Sequence, residues 1–307
     1  MTEPSPATLL DRHPGLDPDF AALLEQVRTS GAAPLSALTP AEARARVRAG
    51  GGACAPGPAL ATVVDDPGRG GEPPIRRYLP AHARPDLVLV WFHGGGWTVG
   101  DLDYLDPFCR LLAERLHCEV RSVDYRLAPE HPFPAAVEDA ERAVRGCAGR
   151  SVIVAGDSAG GNLAAVVAQR LCRDLEIRGQ LLVYPVVDHD FTRESYRTRV
   201  GLVLGVDEME FLFRTYGPAD RSDPAVSPLR AADLTGLPPA VVVAAGHDPL
   251  HDEDVAYAEA LSSAGVRVQL LRFPSLVHGF LRYTAVVPAA ARATEEVLAA
   301  AALMAAR

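Results

Sequence analysis

Residues 151–168 have the sequence SVIVAGDSAGGNLAAVVA, in which an apolar run leads through a glycine-flanked serine into helix-forming residues. The run 152–155 predicts a strand covered on both faces, and residues 163–168 predict a helix. Between them, Gly156-Asp157-Ser158-Ala159-Gly160 fits the sharp turn that holds a serine clear of the backbone at the start of a helix. The stretch therefore predicts a strand–turn–helix unit with Ser158 as a candidate nucleophile.

Apolar runs and helical segments alternate on both sides of this unit. The predicted strands are 75–79, 87–92, 119–124, 151–155, 180–184, 240–244 and 266–273, and the predicted helices between most of them are 107–116, 134–145, 162–173 and 252–264. Such alternation implies βαβ units. We therefore expect an α/β fold with a mostly parallel, doubly wound sheet.

Two segments fall outside the alternation. Residues 18–48 predict two short helices, the second starting at Thr39-Pro40, and a Gly/Pro-rich passage follows. Residues 189–225 have apolar side chains at helical spacing and are too long for a plain loop. We expect residues 1–50 to form cap helices and residues 51–307 a catalytic domain with a cap insertion at about 189–225. An ordinary crossover helix with a long tail is the alternative for the insertion.

The bulk composition is that of a large globular chain. Of its 307 residues, 48% are hydrophobic and 22% are charged, so that it can bury a sizeable core. Its formal net charge of −9 argues against nucleic acid as a partner, because that binding depends on basic side chains that neutralise phosphates.

The chain has no evident targeting or metal-binding pattern. Residues 1–20 lack the basic start and apolar centre of a signal peptide, and the Ala-rich stretch 289–306 is interrupted by Arg292. The five cysteines are scattered without a paired spacing, so we expect no disulfide and no metal. These features predict a cytoplasmic protein without a stable membrane anchor.

A second chemical signal is His93-Gly94-Gly95-Gly96-Trp97, at the end of the strand 87–92. Consecutive glycines let backbone N–H groups approach an oxygen that becomes negatively charged during acyl transfer. We assign the N–H groups of Gly94 and Gly95 to this oxyanion hole, with the N–H of Ala159 as the third donor. A plain tight turn is the alternative.

The general base is expected late in the chain, because a serine in a G-x-S-x-G turn is followed by its acid and then by its histidine. Four histidines follow Ser158, namely His189, His247, His251 and His278. His278 comes in a loop after the strand 266–273, from which it can reach the carboxyl edge of the sheet. We therefore select His278, and take His247 and His251 as polar loop residues.

The acid is expected after the strand 240–244, on the same edge as Ser158. Asp248 lies there and is our choice for the group that orients the imidazole. Asp252 and Asp254 are alternatives, although both fall in the first turn of the next helix, where carboxylates stabilise the helix dipole.

Taken together, these motifs resemble the hormone-sensitive lipase family of α/β-hydrolases, in its bacterial esterase branch. The resemblance covers nearly the whole chain and is carried by residues 93–97, 123–136, 156–161, 248–250 and 278–280. It implies a cofactor-free serine carboxylesterase that hydrolyses small esters with short acyl chains, and a homodimer formed through an edge strand near 266–273. His251 stands where members commonly have arginine.

Two other functions use the same fold. A pathway-specific deacetylase, lactonase or amide hydrolase needs the same triad, and the sequence does not separate these from an esterase. A receptor-like protein that binds a small molecule without catalysis is the other class. Relatives of that kind lose the catalytic histidine, whereas His278 is present here.

Overall fold

The computed structural model describes residues 9–49, 53–199 and 203–306, and its centre is one eight-stranded sheet. The strands are β1 (Thr62–Asp66), β2 (Ile75–Leu79), β3 (Arg84–Phe92), β4 (Cys118–Val123), β5 (Ser151–Asp157), β6 (Ile177–Val183), β7 (Ala240–His247) and β8 (Val268–Val277). Their order in the sheet is β1-β2-β4-β3-β5-β6-β7-β8. Strand β2 pairs antiparallel with β1 and β4, and every other pair is parallel.

Helices cover both faces of this sheet. They are α1 (Leu9–Arg12), α2 (Pro18–Thr29), α3 (Pro40–Ala49), α4 (Asp106–Leu116), α5 (Ala135–Arg145), α6 (Ala159–Leu171), α7 (Ser195–Thr198), α8 (Val206–Tyr216), α9 (His251–Ser263) and α10 (Pro288–Ala305). One core lies under α5, α6 and α9, and the other lies under α4 and α10. The prediction of a doubly wound, mostly parallel sheet is confirmed.

The sheet differs from the sequence prediction at its two edges. Strand β1 lies in the Gly/Pro-rich passage where no strand was expected, and it pairs with β2 so that Thr62 is opposite Leu79. None of the side chains of β1 is fully buried, so its sequence has no apolar run to reveal it. Strand β8 continues to Val277, which places His278 directly at its end.

Glycines allow β3, β5 and α6 to meet closely. A methyl group at Gly160 would lie 2.0 Å from the carbonyl oxygen of Phe92, and one at Gly156 would lie 2.4 Å from the carbonyl carbon of Gly160. Both distances are far below van der Waals contact, so any side chain would force the strand and helix apart. The close packing holds Ser158 at the carboxyl edge, beside the end of β3.

The amino-terminal helices are attached to this edge. Helix α3 begins with a reciprocal capping box, in which the Glu42 N–H donates to Thr39 Oγ1 (3.3 Å) and the Thr39 N–H donates to Glu42 Oε2 (2.9 Å). Arg44 of α3 donates to the carbonyl oxygens of Thr98 and Ala128, both at 2.8 Å. Ahead of α2, the Asp17 N–H donates to the carbonyl oxygen of Ser275 (3.0 Å).

Helices α7 and α8 occupy the predicted insertion. The ring of Tyr216, in α8, stacks on Trp97 with centroids 4.3 Å apart, and α8 also contacts a 3₁₀ turn at Leu35–Ala37. The boundary expected near residue 50, together with residues 1–8 and 200–202, lies outside the described residues. The division into cap and catalytic domain therefore stays a prediction. Among the described helices, none is both long and apolar enough to cross a bilayer.

Candidate active site

Ser158 occupies the turn between β5 and α6 in a strained backbone conformation. Its φ and ψ angles are 54° and −120°, and a positive φ is uncommon for a residue with a side chain. The turn is fixed because the Ser158 N–H donates to the carbonyl oxygen of Val183 (2.9 Å). Only 8% of the residue is exposed, so Oγ is presented within a sheltered site.

His278 joins Ser158 to Asp248. Its Nε2 lies 3.0 Å from Ser158 Oγ, and its Nδ1 lies 2.7 Å from Asp248 Oδ2. The ring packs against Tyr184, with ring centroids 4.8 Å apart. The structure therefore brings together the three side chains that the sequence selected.

Contacts distinguish Asp248 from the two alternative acids. Asp248 is fully buried, and its other oxygen, Oδ1, accepts the N–H of Leu250 at 3.0 Å. Asp252 instead accepts the N–H of Ser195 (2.8 Å). Asp254 is fully buried, and neither of its carboxyl oxygens has a partner among the described residues.

The other three late histidines are engaged elsewhere. His189 Nδ1 lies 3.1 Å from Ser227 Oγ, and His251 Nδ1 lies 2.8 Å from the carbonyl oxygen of Ala245. The ring of His247 packs edge-on against His13, with centroids 6.2 Å apart. None of these contacts involves Ser158.

The glycine loop differs from the prediction at Gly94. The N–H of Gly94 donates to Asp157 Oδ1 at 2.7 Å, so it is not free to bind an oxyanion, and its assignment as an oxyanion donor was wrong. Among the described residues, the N–H groups of Gly95 and Gly96 have no acceptor. At Gly95 and Gly96 the φ angles are 118° and 58°, and such positive values favour glycine.

Asp157 is a site residue that the sequence analysis did not single out. It is buried, and burial raises the pKa of its carboxyl to about 7. Its Oδ1 atom accepts the Gly94 N–H, whereas its Oδ2 atom has no partner among the described residues. The sequence feature that could have identified Asp157 is the position of an acidic residue between the apolar run of β5 and Ser158.

His93 and Tyr125 support the same loop from behind. Their rings stack with centroids 4.3 Å apart, and the Tyr125 hydroxyl donates to the carbonyl oxygen of His93 (2.7 Å). Burial lowers the pKa of His93 to about 4, so the ring is neutral near pH 7. Its Nδ1 lies 2.8 Å from the carbonyl oxygen of Gly94. These contacts hold the glycine loop in one conformation.

Within the described residues, no group of three or more histidine, cysteine, aspartate or glutamate side chains is arranged to hold a metal ion. The five cysteines are free thiols.

Comparisons with known proteins agree with this geometry. Residues 89–282 match a family model described as the α/β-hydrolase fold. The chain is 42% identical over 271 residues to the carboxylic ester hydrolase LipN of Mycobacterium tuberculosis, covering 80% of this chain and 71% of LipN. It is 36% identical over 304 residues to an ethyl acetate hydrolase of Pseudomonas putida, covering 89% and 94% of the two chains.

Among solved structures, an ester hydrolase from the metagenome of Lake Arreo in Spain, in complex with a bipyridine phosphonate derivative, superposes with a TM-score of 0.86 at 35% identity. The match covers 95% of this chain and 98% of that one. The chain therefore belongs to the α/β-hydrolase family, in its hormone-sensitive lipase branch of carboxylesterases.

The unpartnered Asp254 generates a prediction for stability. Burial, and then the negative charges of Asp248 and Glu253, raise its pKa well above the ordinary value of 3.8. The folded state therefore binds this proton more tightly than the unfolded state, and stability falls as the pH rises above about 4. We expect Asp254→Asn to raise the midpoint of thermal unfolding at pH 8 by on the order of 3 °C or more, with a difference that shrinks towards pH 4.

Calorimetry or circular dichroism from pH 4 to pH 8.5 measures this difference. Glu259→Gln is the matched control, because Glu259 is exposed on the same helix and its replacement should leave the pH dependence unchanged. An Asp254→Asn protein that is no more stable than the parent at pH 8 would contradict the prediction.

Proposed function

We propose that Ser158, His278 and Asp248 form the catalytic triad of this serine carboxylesterase. The observation that carries the proposal is the continuous contact from Ser158 Oγ through His278 to Asp248, at 3.0 and 2.7 Å. His278 Nε2 accepts the hydroxyl proton while Oγ attacks the acyl carbon. Asp248 holds Nδ1–H in place and stabilises the imidazolium that forms.

The oxyanion is proposed to bind to the N–H groups of Gly95, Gly96 and Ala159. Ala159 opens helix α6, where the first N–H groups of a helix lack acceptors within it and the helix dipole favours negative charge. Gly96 replaces Gly94 in this set, because the Gly94 N–H is bonded to Asp157. The alcohol leaves with the proton from His278, and a water activated by His278 then hydrolyses the acyl-enzyme. None of these steps needs a cofactor.

Among the alternatives, ester hydrolysis is supported by the relatives, which include a carboxylic ester hydrolase and an ethyl acetate hydrolase. A deacetylase, lactonase or amide hydrolase would use the same steps on another substrate. The contact between His278 and Ser158 argues against a receptor-like protein, since binding alone does not need a base beside the serine.

The triad is tested by covalent labelling. A fluorophosphonate probe should form an adduct on the Ser158 peptide, as identified by mass spectrometry, and Ser158→Ala should lower kcat for a butyrate ester by roughly 1,000-fold or more. Ser262→Ala, at an exposed position of α9, is the control and should keep both labelling and hydrolysis. An adduct on another residue, or undiminished hydrolysis by Ser158→Ala, would refute the triad.

A preference for short acyl chains is part of the proposal. The side chain of Leu212, on α8, fills the space beside Gly96, since a methyl group at Gly96 would lie 2.4 Å from Leu212 Cδ2. The helix thus lies directly over the proposed oxyanion loop and limits the room beside the acyl carbon. An ethyl acetate hydrolase among the relatives fits a small acyl group.

Shortening Leu212 should relax this preference. We expect Leu212→Ala to raise the ratio of kcat/KM for a decanoate ester to that for a butyrate ester by about tenfold, because it removes apolar bulk worth one to three kcal/mol in discrimination. Kinetics on a series of p-nitrophenyl esters measures the ratio, with Arg214→Ala, exposed on the same helix, as control. A parent enzyme that already prefers decanoate would overturn the short-chain proposal.

We also propose that two copies pair through the outer edge of β8. Strand β8 is the last strand of the sheet and pairs only with β7 among the described strands, so its outer backbone groups can extend the sheet into a second molecule. Light scattering should give twice the monomer mass, and a monomer mass at micromolar concentration would dismiss the dimer. A cytoplasmic location stays a prediction from the sequence.

A further inference from the structure

A small cavity lies apart from the triad, between α3, the loop that follows the glycine loop, and the turn after His278. Its volume is about 120 Å³. Three arginines line it, together with two aspartates and Tyr104; the arginines are Arg44, Arg48 and Arg282 and the aspartates are Asp101 and Asp103. The three arginines outnumber the two aspartates. The ion pairs of these side chains identify the arginine that lacks a carboxylate partner.

Both aspartates already have arginine partners. Asp101 Oδ2 lies 3.1 Å from Arg48 Nε, and Asp103 Oδ1 lies 2.6 Å from a guanidinium nitrogen of Arg76, outside the cavity wall. Arg44 is paired with Glu130 at 2.6 Å. The carboxylates around the cavity are therefore neutralised without any contribution from Arg282.

Arg282 has no carboxylate within ion-pair distance among the described residues. Its side chain is half-buried, its Nε is shielded from solvent without an acceptor, and its guanidinium carbon lies 4.4 Å from the centre of the Tyr104 ring. A guanidinium cannot lose its proton in a protein. A shielded cation without an anion is costly, so this position favours an anionic ligand.

We propose that the cavity binds a small carboxylate through the guanidinium of Arg282, which itself lies over the face of the Tyr104 ring. A guanidinium offers two parallel N–H donors that match the two oxygens of a carboxylate. The volume has room for roughly four water-sized groups, which is the size of acetate. Because Asp101 and Asp103 are already neutralised, Arg282 leaves one positive charge for the ligand, which matches a singly charged carboxylate better than a doubly charged phosphate.

The carboxylate site lies close to the proposed triad, because Arg282 follows His278 in the chain. Arg282 lies in the turn Phe280–Tyr283, directly after His278 and Gly279. Its charge also acts on Asp157, which holds the Gly94 N–H under the glycine loop. A carboxylate bound to Arg282 offsets that charge and so weakens its hold on Asp157. We therefore expect carboxylates to slow turnover without competing for Ser158.

The carboxylate has two sources, the free acid released by ester hydrolysis and a carboxylate group on the ester itself. Binding of the free anion is independent of the proposed triad and is measured separately from it. The parent protein is first blocked with the fluorophosphonate, so that the acyl site is filled, and ¹³C-labelled acetate is then titrated while its line width is followed.

The blocked parent is expected to broaden the ¹³C resonance of acetate in a way that shows a saturable site. Chloride at equal ionic strength should not occupy this site. Arg282→Gln should weaken the affinity about tenfold or more, as expected for a hydrogen-bonded charged group, and Arg282→Lys should weaken it less. Arg46→Gln, on the same helix α3 but outside the cavity wall, is the matched control and should bind acetate as the parent does.

Acetate that does not bind the blocked parent, or that binds Arg282→Gln as tightly as the parent, would overturn the site. The parent titration alone decides this if Arg282→Gln fails to fold. Absence of phosphonate labelling at Ser158 would instead refute the triad, so the two failures are distinguishable.

The source is decided by kinetics with two esters, monoethyl succinate, which has a free carboxylate, and diethyl succinate, which has none. If the substrate supplies the carboxylate, Arg282→Gln should lower the ratio of their kcat/KM values about tenfold. If the product supplies it, the ratio should stay constant, while the non-competitive inhibition of the parent by acetate disappears in Arg282→Gln. If Arg282→Gln changes neither the ratio of the two kcat/KM values nor the inhibition by acetate, both sources of the carboxylate are contradicted.

Discussion

Helix α6 starts so close to the end of β3 that a methyl group at Gly160 would come within 2.0 Å of the Phe92 carbonyl oxygen. This contact sets the position of the site, because it brings the serine turn beside the glycine loop that continues from β3. Both elements lie at the carboxyl edge, where the end of β8 adds His278 and the segment after β7 adds Asp248. A larger residue at this crossing would separate the proposed nucleophile from the proposed oxyanion donors.

Buried polar groups then fix the glycine loop relative to the serine turn. Asp157 binds the Gly94 N–H, while His93 and Tyr125 stack beneath the same loop. Burying a carboxyl costs stability, and the raised pKa of Asp157, at about 7, records that cost. In return, the buried Asp157 holds the glycine loop in place. Hydrogen-bond donors that are fixed before the reaction stabilise a developing negative charge better than donors that must reorganise.

The selectivity proposed above depends on elements outside the sheet. Leu212 reaches the glycine loop from α8, and α8 contacts the 3₁₀ turn ahead of α3. On the other side of the loop, α3 supplies two arginines to the cavity that contains Arg282. In this proposal, changes in the amino-terminal and inserted helices alter the substrate preference while the strand ends keep the proposed triad in place.

The sequence by itself determined the order of strands and helices, the serine turn and the place of the histidine, because these follow from apolar periodicity, glycine sterics and chain order. It chose Asp248 over Asp252 and Asp254 on position alone, assigned Gly94 wrongly and gave no sign of β1. Only the tertiary structure shows the contacts that bear on the acid and on Gly94, since each involves a partner distant in the chain: Asp248 contacts His278, 30 residues away, and Gly94 binds Asp157, 63 residues away. The lack of a carboxylate partner for Arg282 within the described part of the chain is of the same kind, because a pattern of residues does not show which carboxylates other arginines have already neutralised.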